Sequence, residues 1–476
     1  MLQMVAPVPE QMTKRFLQLP ELQAKRETSI LVSYSLPWPD ISLLDFLAQA
    51  ADAPRVYWAS ENGPVEFAGY DLAATLVAAG PERFEAIEQQ AAQLFEQVIR
   101  LNKAAPAAAG PRLFGGFSFE AKADAQPFWS AFPAARFMLP RYQLSRIGGE
   151  NWLTLNQRLE PADDPFDLIR LINQDIQKLY LAARLRPKDQ AGLAERQPLT
   201  EVKDLMAPER WNRLISGVTG RIRRGELEKV VLARARRLRK AGAVDVTTIL
   251  ARLERNYPGC YRFLFEPVPG HAFYGATPEL LAHVSGSTLR TAALAGSIRR
   301  GQTPEEDERL GQQLLANPKE RHEHALVVEA IRENLQERVS DLYIAPEPGI
   351  YRLSNIQHLQ TAIKAKLPAG SGILPLIKTL HPTPALGGRP RALALPLISQ
   401  AEPVSRGWYG APIGWLDAEA NGMFAVAIRS AISVGSDTLL YAGAGIVADS
   451  IPEREWQETE LKFRPLMDAL AGAQRP

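Results

Sequence analysis

Gly225-Glu226-Leu227-Glu228-Lys229-Val230-Val231-Leu232-Ala233-Arg234 passes from a polar turn straight into a β-branched run. That transition marks the start of a short buried strand. Lys229 occupies the first residue of the run, where its ammonium faces the interior or a cleft. A lysine deprived of water holds its proton less tightly and can act as a base. A lysine at a strand edge merely lays its stem on apolar surface and keeps its head in water. Taken alone, the stretch favours the second description. What stands elsewhere in the chain decides between them.

With 476 residues, the chain can build a large core and two or three domains. Lys and Arg total 55 against 53 Asp and Glu, a net charge of +2, so no global field points to nucleic acid or an anionic membrane. Cys260 is the only cysteine, which excludes an intrachain disulfide and a multi-thiolate metal site and fits a reducing compartment. The first residues lack a basic segment followed by an apolar one, and no apolar run reaches the length of a membrane span. A soluble cytoplasmic protein is expected.

Before the opening stretch, the chain reads as scaffold. Residues 1–28 look like a polar, helical lead-in, and strands are expected at 29–34, 55–58, 65–70, 113–119, 137–142 and 152–155. A short helix is expected at 41–47 and longer ones at 81–103 and 165–185. Gly115 and Gly116 interrupt one strand, which signals a bulge or a close backbone approach. The polar, proline-containing segment 186–208 is the best candidate boundary, dividing a scaffold portion, 1–198, from a portion 199–476 that carries the chemistry. Strands on its two sides can share sheets, so the portions are expected to form one structural unit. A helix is expected at 209–224.

Fifty residues after Lys229, the turn residues Gly275 and Pro278 set Glu279 just before an apolar strand. Alone, that carboxylate reads as a surface turn residue. Asn317-Pro318-Lys319-Glu320 has the form of a helix start with a capping box. At about 100° per residue, Glu320, Glu323, Val327, Ala330 and Ile331 share one face. Capping accounts for Glu320, but nothing local accounts for Glu323 on an apolar stripe. His322 and His324 flank it without the HExxH spacing of a zinc site, and paired carboxylates with oxygen-only ligation suit Mg²⁺ better. Ser450-Ile451-Pro452-Glu453 resembles another capping box, and Glu455, Glu458 and Lys462 share a face of the helix behind it. Pro465 is expected to bend or end that helix. Upstream, the Gly443-Ala444-Gly445 backbone could hold a carboxylate. Arg429, ending an apolar strand, could clamp a carboxylate or form an ordinary salt bridge.

Eight stretches in order, EKVVLAR, YGATPELL, LAGSIRRG, NPKERHEH, LHPTPALGGRP, RGWYGAPIGW, FAVAIRSA and YAGAGIVADSIPEREWQETELK, resemble those of the chorismate-utilising enzymes, and within them the isochorismate synthases. The resemblance is dense over residues 205–470 and loose before that. It implies Lys229 as general base and Glu279 as general acid. It also implies Glu323 and Glu458 as direct Mg²⁺ ligands, with Glu320 and Glu455 supporting them through water. Arg429, Lys462, Tyr409, Gly296 and the Gly443-Ala444-Gly445 backbone match substrate contacts. His381 and Ala385, in Leu380-His381-Pro382-Thr383-Pro384-Ala385, mark the subfamily, since aminating and salicylate-forming relatives tend to place threonine where Ala385 stands.

The implied fold is a large α/β (α+β) unit of two antiparallel-rich sheets flanked by helices, with the site between them; periodicity alone supports mixed α and β. The implied reaction is the Mg²⁺-dependent conversion of chorismate to isochorismate, serving menaquinone, siderophore or salicylate synthesis. The long first portion leans towards the menaquinone type. Salicylate synthase is the alternative within the fold, and a catalytically silent chorismate-binding regulator the alternative outside it. The expected protein is a monomer or weak homodimer that binds no nucleic acid or membrane and needs no glutaminase subunit.

Overall fold

Lys229 does open a strand, but one that runs on to Lys240. Its second half is rich in arginine, and those guanidinium groups find carboxylates on neighbouring elements. Arg234 and Arg236 reach Asp204 and Glu460, and Arg237 and Arg239 reach Asp437. One side of the strand pairs antiparallel with Asp437–Ile446 along that partner's whole length. On the other side, Gly388–Arg389 covers its start and Leu199–Asp204 its end.

The computed structural model describes residues 8–18, 29–60, 63–122, 126–185 and 198–472. Most of the boundary segment, 186–197, and most of the lead-in lie outside them, although a helix Glu10–Leu17 forms within the lead-in. The architecture is mixed α/β and almost wholly antiparallel. The two expected sheets are joined by shared strands, so that 21 strands among the described residues form one hydrogen-bonded network with helices packed outside. Strands from the two portions interlace. Arg55–Ala59 pairs with Tyr261–Val268, and Leu113–Phe117 pairs with Pro412–Leu416. Gly116 is needed at that second junction, where a Cβ would lie 2.7 Å from the Pro412 carbonyl oxygen.

Several local expectations change. The helix expected over 81–103 ends at Glu96, and Val98–Arg100 instead forms a strand parallel to Leu31–Ser33. The β-branched Val98-Ile99 pair fits that open edge better than a helix end. Pro465 lies inside a continuous helix, Pro452–Ala471. Ser450 does not cap this helix: its hydroxyl accepts from the Val447 amide, and the N-cap is Ile451. Asn317 caps its own helix through the Lys319 and Glu320 amides, while the Glu320 carboxylate reaches away to the Ser297 amide, 3.1 Å distant, instead of closing a capping box. Residues 424–430 are not one strand. Gly422–Val426 ends, the chain turns, and Ser430–Val434 begins.

Candidate active site

The opening strand, the two glutamate-bearing helices and the glycine-containing strand Asp437–Ile446 converge on one cavity. Lys229 lines it and is 1% exposed, so its ammonium points inward and the edge-snorkelling description fails. Its Nζ donates to Glu323 Oε1 at 2.7 Å. Glu279 also lines the cavity and is 7% exposed. Its backbone explains the placement: the Glu279 amide donates to Thr277 Oγ1, and its carbonyl accepts from the Val426 amide. Burial pushes the Glu279 carboxyl up to about 7, with Lys229 and Lys462 drawing it back only in part. A carboxyl with that value carries a proton below neutrality and can give it up during a reaction. Turnover that depends on this proton should decline as pH rises through about 7. Glu279→Gln should lower kcat by at least ~10² and remove that alkaline limb. A pH–rate profile of both proteins checks this, and an unchanged limb in the variant would exclude Glu279 as its source.

Glu320, Glu323, Glu455 and Glu458 gather on the two helices, interleaved with lysines. Lys462 Nζ lies 2.6 Å from Glu458 Oε1, and Lys319 Nζ lies 3.6 Å from Glu455 Oε1 and 3.8 Å from Glu320 Oε1. Burial would raise the Glu323 carboxyl, but the Lys229, Lys319 and Lys462 charges hold it below the usual range. Glu320 and Glu455 are raised, first by burial and next by the adjacent carboxylates Glu323 and Glu458. Such crowding is relieved by a cation, and an all-oxygen donor set fits Mg²⁺. Among the described residues, no three potential ligands already converge as a metal cage. His322 is exposed and His324 is buried against Thr361, 2.7 Å away, so neither turns toward the carboxylates as a partner in a zinc site.

Of the expected substrate contacts, Gly296, Ala385, Tyr409, Arg429, Gly443, Gly445 and Lys462 line the cavity. The Ala444 side chain packs into the apolar core, as strand alternation requires of the residue between two cavity-facing neighbours. His381 is buried behind the cavity, with Nε2 3.3 Å from the Phe119 carbonyl oxygen. Arg429 sits in the turn between strands at φ 50°, a backbone conformation that a non-glycine residue adopts at a cost. Its Nε has no partner among the described residues, leaving a buried donor for an anion. Gly443 uses its carbonyl to accept from Lys462 Nζ at 2.7 Å. At Gly445, a Cβ would lie 2.6 Å from Glu323 Oε1 and 3.1 Å from Lys229 Cε. Gly445→Ala should therefore displace both groups and lower kcat by about 10² with little change in unfolding temperature. Turnover within threefold of the parent would show that the pair tolerates the displacement.

His358 was not foreseen. It lines the cavity, its Nδ1 lies 2.9 Å from Ser297 Oγ, and its Nε2 has no partner among the described residues. Burial, reinforced by Arg429 and Lys462, lowers it to about 3, so it stays neutral at physiological pH. Its sequence signal was weak, a lone histidine in the alternating strand Ile356–Lys366. Ser297 and Lys319 also stand on the cavity wall, where their sequence surroundings carry no signal of a role.

A family model described as a chorismate binding enzyme matches residues 15–471. The chain belongs to that family. It is 39% identical over 423 residues to the salicylate biosynthesis isochorismate synthase of Pseudomonas aeruginosa, across 88% of this chain and 85% of that protein. It is 33% identical over 460 residues to isochorismate synthase MenF of Bacillus subtilis, across 94% and 95% of the two chains. The solved structure of MenF, the menaquinone-specific isochorismate synthase from Escherichia coli, superposes with a TM-score of 0.76 at 28% identity, covering 97% of this chain and 99% of that one. No helix among the described residues is long and apolar enough to cross a membrane.

Proposed function

We propose that this chorismate-binding enzyme converts chorismate to isochorismate, with Lys229 as general base and Glu279 as general acid. The observation that carries the reading is that an inward-facing amine and a carboxyl held near pH 7 line the same buried cavity. Lys229, when unprotonated, takes a proton from a water whose oxygen bonds to ring carbon C2. The ring double bonds shift, the C4–oxygen bond breaks, and Glu279 gives its proton to the departing hydroxyl, which leaves as water. One oxygen is gained and one lost, so substrate and product are isomers.

Arg429 and Lys462 bind the enolpyruvyl carboxylate, the guanidinium through its free donor. Glu323 and Glu458 would hold Mg²⁺, with Glu320 and Glu455 as supporting carboxylates, and the ion would supply a positive charge to neutralise the ring carboxylate. Tyr409 stacks on Tyr441 at 4.9 Å and forms a flat wall against which a ring can lie. Portions 1–198 and 199–476 act as one unit, a monomer or weak homodimer working in the cytoplasm without a glutaminase subunit.

Ala385 puts a methyl on the cavity wall, so the pocket lacks the hydroxyl handle that a threonine would offer the intermediate. Isochorismate should therefore be released, with only a trace of salicylate and pyruvate. Purified protein incubated with chorismate and Mg²⁺ at neutral pH tests the reading, with products separated by chromatography and pyruvate followed by a coupled assay. Pyruvate release matching chorismate loss would make this a salicylate synthase, and binding without turnover would make it a regulator.

A further inference from the structure

One edge of the catalytic strand, buried but unpaired by any other strand over part of its length, is closed by side chains. On this side, Gly388–Arg389 pairs only with Val230 and Lys229, and Leu199–Asp204 begins to pair at Arg236. The Val231 amide still donates to the Gly387 carbonyl at 2.8 Å. From there on, the Val231 carbonyl accepts from Arg406 Nη2 at 2.9 Å, and the Ala233 amide donates to Glu402 Oε1 at 2.8 Å. Those two groups project from alternate residues on one edge, as strand geometry requires. Arg406 and Glu402 are themselves an ion pair, Nη2 to Oε1 at 2.5 Å, with side chains 3% and 5% exposed. A second guanidinium nitrogen, Nη1, donates to the Leu386 carbonyl at 2.8 Å. Leu386 and its neighbour Ala385 line the cavity, as do Val231 and Lys229. One guanidinium thus ties the strand carrying Lys229 to the loop carrying Ala385. The Arg406 carbonyl also accepts from the Tyr409 amide at 2.8 Å, which adds a third cavity wall.

We propose that Glu402 and Arg406 are positioning residues for the proton transfer at Lys229, holding its strand and the facing loop at fixed separation. Neither residue lines the cavity, so they act only through the backbone they hold. Glutamate and arginine are required together. The planar fork of arginine serves Glu402, Val231 and Leu386 at once, which the single ammonium of a lysine cannot do in the same geometry.

This inference rests on the role given to Lys229 above, and the test separates the two. Arg406→Lys keeps the buried charge paired but loses the bridge to one of the two carbonyls. Its kcat for chorismate turnover should fall by about 30-fold or more while KM changes less than threefold. The pH–rate limb assigned to Glu279 should stay in place, because the acid is not held by this bracket. The double variant Glu402→Leu/Arg406→Met leaves no buried charge and should show the same split if Arg406→Lys folds poorly. Amide hydrogen exchange at Val231 and Ala233 should quicken in both variants, a readout independent of the substrate. Unchanged kcat in a folded variant, or a loss shared equally between kcat and KM, would overturn the positioning role. A parent enzyme inert towards chorismate would instead defeat the reading of the reaction and leave the exchange result to judge the bracket.

Discussion

Lys229→Ala is expected to lower kcat by at least ~10² while leaving chorismate affinity within a few-fold of the parent. The side chain is almost fully enclosed and its one hydrogen bond among the described residues is to Glu323, so its placement serves the cavity and not the protein surface. Removing it deletes the group proposed to accept the proton of the attacking water, an interaction that strengthens only as the reaction proceeds. It also leaves Glu323 without its nearest counter-charge, although Lys319 and Lys462 still act on that carboxylate. Some loss of thermal stability should therefore accompany the loss of rate, because a part-buried ion pair is broken from one side. Steady-state kinetics with a calorimetric check of folding measures both. A variant with near-normal kcat would remove Lys229 from the role of base.

Glu323→Gln and Glu458→Gln should each abolish turnover with the fold intact, and EDTA should do the same to the parent. Glutamine preserves shape at both positions, and at 323 its amide oxygen can still accept the Lys229 hydrogen bond, so the change is almost purely one of charge. That charge is what the helix pair supplies. With one carboxylate neutralised, the site loses an anionic ligand for a hard cation that exchanges its waters reluctantly. Titration of Mn²⁺ as a Mg²⁺ surrogate, followed by relaxation of water protons, should show weakened metal binding in both variants independently of rate. Full activity in EDTA, or normal Mg²⁺ dependence in both variants, would refute the metal assignment.

The site was more legible in the sequence than the local secondary structure around it. Glu323 stood out because a carboxylate on an apolar helical stripe has no local explanation, and the reason lies in Lys229, 94 residues away in sequence. Glu320 was ambiguous because asparagine, proline and glutamate in that order also describe a capping box. Only tertiary structure shows the carboxylate turned to Ser297. The 443–445 glycines were visible, but their purpose was not, since sequence gives no hint that Glu323 and Lys229 press against Gly445. His358 stayed hidden because one polar residue in a strand usually faces solvent. The length of the strand from Lys229 to Lys240 was hidden by arginines whose carboxylate partners lie on other elements.

The interlaced strands bear on how this chain is made. Leu113 has its sheet partner at Leu416, and Trp58 has one at Phe263. A ribosome adding roughly ten residues per second needs about half a minute to travel from the first of those partners to the last. Throughout that interval the strand Leu113–Phe117, buried at every residue in the finished molecule, has one edge without its mate. An apolar strand with an open edge is a template for pairing with the wrong chain. Nascent chains on neighbouring ribosomes are the nearest such templates, so the yield of native enzyme should depend on chaperone capacity and on how densely its message is translated.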